Sequence, residues 1–291
     1  MITYDYPLFR PPAEADNIIV QVTLGCSYNN CLFCSMYKTK NYQEKSLNDI
    51  YKDIDILAAA SPLAHKIFLA DGDALALPTN TLVSILKYLQ ESFPKLRRVS
   101  TYASAQNLQD KSTEDLKLLQ SHKLNLIYYG IETGNDVVLK KITKGVSKQE
   151  IIDSLNKVPK SMKISATVIL GIGGAKYSDV HIKDTADIIN NTTINYLSTL
   201  QLGLQEDAKE NFYKHFNDYM PLDDYQLLQE QKQFLKLLNT LNKIIFRSNH
   251  ASNALHLSGT LPKDTTRLIE QVIQALKIGD EAFVPKGYRG F

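Results

Sequence analysis

The sequence predicts an α/β protein in which a mostly parallel sheet is flanked by helices. Three observations predict it. Short apolar runs at 18–24, 66–70, 98–103, 126–132, 164–171 and 196–202 alternate with stretches whose apolar residues recur every three to four positions. Most of these runs are almost continuously apolar, the pattern of parallel strands buried on both faces. Repeated strand–helix alternation then places the helices outside a parallel sheet. Six such units make an open or partial barrel, or a doubly wound sheet; periodicity alone does not choose.

Each element has local support. After the first strand, Leu47, Ile50, Tyr51, Ile54, Leu57 and Ala58 form one helical stripe, with Ser46 as its N-cap and Asp49 three residues on. The second helix carries Leu82, Ile85, Leu86 and Leu89 and is stopped by Pro94. Ser112 opens the third, with Leu116 and Leu119. Ser147 and Glu150 form a capping box ahead of Ile151, Ile152 and Leu155. Ser178 precedes a fifth helix with Ile182, Ala186 and Ile189, and residues 225–242 read as the sixth. Residues 205–224 are polar and irregular in pattern, 243–248 form a further short run, and a last helix falls near 265–276. Residues 1–205 are therefore expected to form the core, and 206–291 a helical and β extension packed on it.

The 291 residues are 44% hydrophobic and 22% charged, which argues against a disordered tail, a collagen-like fibre and a small disulfide scaffold. Lys plus Arg number 33 against 31 Asp plus Glu, so a net charge of +2 gives no reason to expect a polynucleotide or an anionic membrane as partner. No apolar run reaches the length of a membrane span. Residues 1–17, with Pro7, Pro11 and Pro12, lack the basic and then apolar regions of a signal peptide, so a cytoplasmic location is expected.

Cys26, Cys31 and Cys34 are the only cysteines. They directly follow the first strand, and in a βα barrel the loops at strand C-termini form the catalytic face. In a reducing cytosol disulfides are not expected. The residues leave three readings open: a structural zinc site completed by a His or carboxylate, inert core thiols, or an iron–sulfur cluster with three protein ligands and one open iron.

The stretch Gly25-Cys26-Ser27-Tyr28-Asn29-Asn30-Cys31-Leu32-Phe33-Cys34 resembles the cluster loop of the radical S-adenosylmethionine (SAM) enzymes, where an aromatic residue commonly stands between the last two cysteines, as Phe33 does. That family usually has three residues between the first two cysteines; this chain has four. Further matches follow in order: Asp71-Gly72-Asp73 after the second strand, Gly130-Ile131-Glu132-Thr133-Gly134 ending the fourth, Lys144-Gly145 beyond it, and Leu170-Gly171-Ile172-Gly173-Gly174 ending the fifth. The likeness covers roughly residues 16–205.

It implies a partial (β/α)6 TIM-like barrel with a C-terminal extension, and a [4Fe-4S] cluster on Cys26, Cys31 and Cys34 whose open iron binds SAM. Asp71, Gly72 and Asp73 would meet the methionine amino group, Glu132 the amine or ribose, Lys144 the methionine carboxylate, and Gly171 and Gly173 the adenine. Each has a plain alternative: turn residues around Gly72, a structural salt bridge at Glu132, an exposed cation at Lys144, glycines needed only for a tight turn. Ser104 and Gln106, just past the third strand, are candidates for contact with SAM or substrate. The implied chemistry is reductive cleavage of SAM to a 5′-deoxyadenosyl radical, which takes hydrogen from a small-molecule or peptide substrate. The implied partner is a one-electron reductant such as flavodoxin or ferredoxin.

The segment from Phe246 to Asn253 resembles the tail of a radical SAM subgroup related by name to oxygen-independent coproporphyrinogen dehydrogenase. Arg247, Asn249 and His250 are expected to line the substrate cavity, Arg247 for an anionic group and His250 as donor and acceptor; a polar turn is the alternative. With all three thiols committed, no cysteine remains for an auxiliary cluster, which disfavours sulfur insertion, or for the RNA-methylating mechanism that uses two additional cysteines, which is disfavoured too. Only about 17 residues precede the first strand, too few for a cobalamin-binding domain. A rival expectation is a non-catalytic iron–sulfur protein for electron transfer or redox sensing.

Overall fold

The computed structural model describes Ile2 and residues 4–290, without the side chain of Asp207. The chain divides into two compact units.

The first unit comprises Met1–Asn29, Met36–Tyr129 and Lys157–Lys163. Its elements are β1 (Ile18–Gln21), β2 (Thr23–Leu24), β3 (Gln43–Glu44), α1 (Leu47–Ala60), β4 (Lys66–Ala70), α2 (Thr79–Ser92), β5 (Arg98–Ala103), α3 (Ala105–Asp110), α4 (Thr113–Ser121) and the start of β6 (Leu124–Glu132). β1, β4, β5 and β6 pair in that order, all parallel. Ile67, Phe68, Leu69, Val99 and Ile127 are fully buried, as continuous apolar strands require. Ile50 and Ile54 of α1 and Leu82, Ile85, Leu86 and Leu89 of α2 are fully buried too, and Tyr51 stacks on Tyr88 with ring centroids 4.2 Å apart.

The helix starts follow the capping chemistry read from the sequence. Ser46 accepts the Asp49 N–H at 3.2 Å to open α1. Ser112 and Asp115 form a reciprocal box at α4, and α2 ends at Ser92, with Phe93 as its C-cap just before Pro94. Two features differ from expectation. The first strand is split, because β2 leaves β1 to pair antiparallel with β3. The six-residue α3, capped by Ser104 and Asn107, is too short to leave a periodic trace.

The second unit comprises Asn30–Ser35, Gly130–Asn156 and Ile164–Phe291. It holds α5 (Asp136–Lys141), α6 (Lys148–Lys157), β7 (Lys163–Leu170), α7 (Gly174–Asn190), β8 (Tyr196–Gln201), α8 (Glu206–His215), α9 (Asp224–Leu237), β9 (Ile244–Ser248), β10 (Leu257–Leu261) and α10 (Thr265–Ile278). β7, β8 and β9 are parallel, and β10 returns antiparallel to β9. α9 packs between α7 and α10. One sheet face buries Ala166, Val168, Leu197 and Phe246. The register puts Thr167, Ser198, Arg247 and Ser258 side by side on the other.

The Ser147–Glu150 box opens α6 as read from the sequence. α7 instead starts at Gly174, about a turn ahead of Ser178, whose hydroxyl bonds to Glu230 rather than capping the helix. Residues 205–224 are not irregular: they contain α8. Its apolar stripe, Ala208 and Phe212 continued by Phe216, is so narrow that the segment reads as polar. β10 leaves no readable trace because Ser258, Gly259 and Thr260 dilute its apolar ends.

Candidate active site

In the first unit, Asp71 and Asp73 stand just past the C-terminal end of β4. Asp71 is fully buried. Its Oδ2 accepts from Lys40 Nζ at 2.9 Å, from the Gly25 N–H at 3.3 Å and from Gln21 Nε2 at 3.3 Å. Lys40 also reaches the Asp5 carboxylate at 2.9 Å. The other oxygen, Oδ1, is buried with no hydrogen-bond partner, a cost an incoming donor would remove. Asp73 accepts from the Ser27 hydroxyl and from Asn107; burial pushes its carboxyl up, against those hydrogen bonds. The two carboxylates therefore hold the residues on either side of Cys26. Gly72 lies under Tyr37, where a Cβ would overlap the ring. Burial, with Glu44, Asp73 and Cys26 nearby, pushes Tyr42 up to about 12, so it stays a neutral phenol. Ser104 uses its hydroxyl to cap α3, and Gln106 in that helix is half-buried.

In the second unit, the loop carrying Cys31 and Cys34 is anchored through its other residues. Leu32 is buried among Val138, Ile142, Ile169 and Ile172, with Phe33 packed beside it. The Leu32 N–H donates to the Ile142 carbonyl at 3.0 Å, and the Thr143 hydroxyl to the Asn30 carbonyl at 2.6 Å. Lys144 Nζ lies 5.7 Å from the Phe33 ring centroid and 3.0 Å from Glu132 Oε1. Glu132 and Lys144, assigned to different SAM groups by resemblance, thus form an ion pair here. Glu132 has φ +61°, a left-handed conformation that is costly away from glycine and often marks a functional position. Gly130 makes room for its carboxylate. Gly171 (φ +79°) and Gly174 (φ +59°) shape the turn after β7, with Gly173 between them.

The C-terminal candidates are placed unevenly. Arg247 is exposed on the face shared with Ser198 and Ser258, and one guanidinium nitrogen donates to the Phe246 carbonyl. Asn249 is exposed. His250 is half-buried, and its Nδ1 accepts the Ser252 N–H at 3.1 Å; burial pushes the imidazole below its ordinary range. The neighbours carry the buried network instead. Asn253 donates to the Thr199 carbonyl and Ser248 Oγ and accepts the Gln201 N–H, while Gln231 of α9 accepts from the Thr199 and Ser248 hydroxyls. Lys40, Glu230, Gln231 and Asn253 do not stand out in the sequence. A signal exists for Gln231: it is a polar residue on the stripe of Leu227, Leu228, Phe234 and Leu235.

Parallel strands flanked by helices in both units place the chain in the α/β class. Residues 20–189 match the family model of the radical SAM superfamily, so the chain belongs to that superfamily. A Methanocaldococcus jannaschii protein assigned as a methylthiotransferase is 25% identical over 150 residues, covering 48% of this chain and 31% of that protein. The tRNA-2-methylthio-N(6)-dimethylallyladenosine synthase of Christiangramia forsetii is 22% identical over 93% of this chain and 61% of its own length. The chain thus spans less than two thirds of either relative. Coproporphyrinogen III oxidase of Escherichia coli, a radical SAM enzyme, superposes with a TM-score of 0.56 at 15% identity, over 76% of this chain and 52% of that one. That likeness shows the fold, the TIM-like α/β barrel type of these enzymes.

The protein is therefore a radical SAM enzyme, and enzymes of this superfamily use a [4Fe-4S] cluster and SAM. The donor set fits: three thiols on one loop, each partly exposed and none in a disulfide. Among the described residues no group of three His, Cys, Asp or Glu is already gathered as a metal site, so the fit rests on donor chemistry. No helix of the described residues is long and apolar enough to cross a membrane.

Proposed function

We propose that Cys26, Cys31 and Cys34 hold the cluster with one iron open to SAM. Asp71, Gly72, Asp73, Phe33, Ser104, Glu132, Lys144, Gly171 and Gly173 then seat SAM, and hydrogen is taken from a small-molecule or peptide substrate. The observation that carries this reading is the pair of buried carboxylates after β4, which hold Gly25 and Ser27 around Cys26 and leave Asp71 Oδ1 without a hydrogen-bond partner. When bound, cluster and SAM supply the electron and the radical that takes hydrogen from substrate.

The chain's own residues position and shield. Asp71 Oδ1 accepts from an ammonium. Lys144 donates to a carboxylate if it turns from Glu132, and Phe33 stands beside Lys144. Residues 206–291 act as the extension to the 1–205 core, with Arg247 offering its guanidinium to an anionic substrate group and Asn249 and His250 as further lining residues. A soluble electron donor such as flavodoxin or ferredoxin and a cytoplasmic location belong to this reading.

The names of the two relatives favour a second reading, methylthio transfer, which one of the two names places on tRNA. The single cluster of cysteines in this sequence is against it. Iron analysis after anaerobic reconstitution decides: about four irons per chain supports one cluster, and about eight supports the methylthio-transfer reading. Cys26→Ala, Cys31→Ala and Cys34→Ala are each expected to lose the cluster and reductive SAM cleavage; full cleavage in any one refutes the ligand set.

A further inference from the structure

The turn after β7 is held from a distant part of the sequence. The Gly171 N–H donates to Glu230 Oε1 at 2.5 Å. The Gly171 carbonyl accepts from the Tyr219 hydroxyl at 2.9 Å and from the Gly174 N–H at 2.9 Å. Leu227 closes over the Cα, its Cδ2 2.7 Å from where a Cβ would lie. Tyr219, Leu227 and Glu230 all lie in the last third of the chain, and Leu227 and Glu230 share α9. Glu230 is 4% exposed, and its second oxygen accepts from the Ser178 hydroxyl on α7. Two donors on two different oxygens leave this carboxyl almost no freedom to rotate, so it fixes the Gly171 peptide plane. A left-handed glycine released from such a contact has many other conformations open to it.

We infer that Glu230 is a positioning residue for SAM: through the Gly171 peptide it sets the shape of the turn proposed to meet the adenine, so that α9 controls cofactor affinity. The inference rests on the reading of that turn given above. A preorganised turn binds without first losing conformational freedom, whereas a released one must be ordered by the ligand. Gln231, its neighbour on α9, reaches Thr199 and Ser248 instead of this turn, so the two residues separate a positioning role from a purely structural one.

The test is calorimetric titration of SAM into the anaerobic, cluster-loaded protein, with iron content and thermal midpoint measured alongside. Glu230→Ala is expected to weaken SAM binding about tenfold or more with iron unchanged, matching loss of one buried hydrogen bond that held the turn. Glu230→Gln keeps an acceptor for the Gly171 N–H and is expected to stay within about threefold of the parent. Gln231→Ala is expected to lower the thermal midpoint without moving SAM affinity. Parent-like affinity in Glu230→Ala, or equal weakening in Glu230→Ala and Gln231→Ala, overturns the inference. Should Glu230→Ala fail to fold, Ser178→Ala removes the other anchor of the same carboxyl and is expected to weaken SAM by about threefold; unchanged affinity is the overturning result. Amide exchange separates this from the underlying reading. If SAM does not protect residues 171–174 in the parent protein, the reading of the turn itself fails.

Discussion

The turns after β4 and β7 each place a glycine beside a buried carboxyl that accepts a backbone N–H, yet the two carboxyls differ in what faces them. Asp71 has Lys40 Nζ at 2.9 Å, with a side chain only 6% exposed. Among the described residues no cation faces Glu230. Around it are Ser178, Asp179 and His181 of α7 and Tyr219 of the preceding loop, and its contact with the turn after β7 is a backbone N–H. His181 Nε2 is 3.9 Å away, but the imidazole is fully buried and pushed down to about 4, so it is neutral near pH 7. Desolvating a carboxylate is costly, and a protein answers with a counter-ion or with a proton. The first turn has the counter-ion; at the second, burial pushes Glu230 up to about 7.

The largest expected effect breaks the first arrangement. Lys40→Met leaves the Asp71 carboxylate buried without its ammonium, and removing one partner of a buried pair costs about 3–5 kcal/mol. Urea unfolding of the variant should show that loss, and Lys40→Met with Asp71→Asn should recover part of it because no charge is then stranded. If the single and double variants are equally unstable, Lys40 acts through packing rather than through its charge.

A smaller effect, readable by pH, tests the second arrangement. Glu230 keeps its proton to about pH 7 in the folded state, against 4.5 for an ordinary carboxyl. The folded state therefore binds more protons between those values, and this group's contribution to stability is lost as pH rises through the window. His181 has the opposite sign. Its folded value of about 4 lies below the ordinary 6.5, so its contribution is lost as pH falls through that range. Each is bounded by roughly 3 kcal/mol, and the two largely cancel between about pH 4.5 and 6.5. Chemical unfolding at a series of pH values should thus find Glu230→Gln gaining stability with rising pH, and His181→Gln losing it. Parallel pH profiles for the two variants would show that neither group titrates as described.

The contrast also explains what is legible in the sequence. The strands and most helix starts are readable because they rest on local rules: continuous apolar runs, and Ser46, Ser112 and Ser147 each with an acidic residue three positions on. The thiol loop and the turns past the strands are visible as motifs, Asp71-Gly72-Asp73 among them. How those turns are held is not visible. Lys40, Glu230 and Asn253 act on groups 31, 59 and 54 positions away, so nothing near them in sequence announces the partner. α8 is hidden for a related reason: Phe212 and Phe216 pack with Leu32, and a mostly polar helix is apolar only on the side that meets that cluster. Glu132 and Lys144 read as single residues, because an ion pair spanning 12 residues of loop and short helix has no periodic signature.

The smallest expected effect is a coupling, and it asks why each turn needs glycine. At Gly72 the obstacle is contact: an added Cβ would stand 2.6 Å from Cδ2 of Tyr37 and closer still to Cε2, on a buried ring with Phe9 edge-on at 5.4 Å. At Gly171 the obstacle is mainly conformation, since φ is +79° and the crowding atom is the mobile end of Leu227. Both Gly→Ala changes should cost about 1–3 kcal/mol, the first by overpacking and the second by backbone strain. Their double variants should diverge. Trimming Tyr37 to Ala removes the clash, so Gly72→Ala should cost less in that background, giving a coupling of roughly 0.5–3 kcal/mol. Trimming Leu227 to Ala leaves φ where it was, so Gly171→Ala should cost nearly the same with or without it, within about 0.5 kcal/mol. Unfolding free energies of the two four-member cycles measure both numbers. A large coupling at Gly171 would mean that the Leu227 contact, not the left-handed backbone, is what reserves that position for glycine.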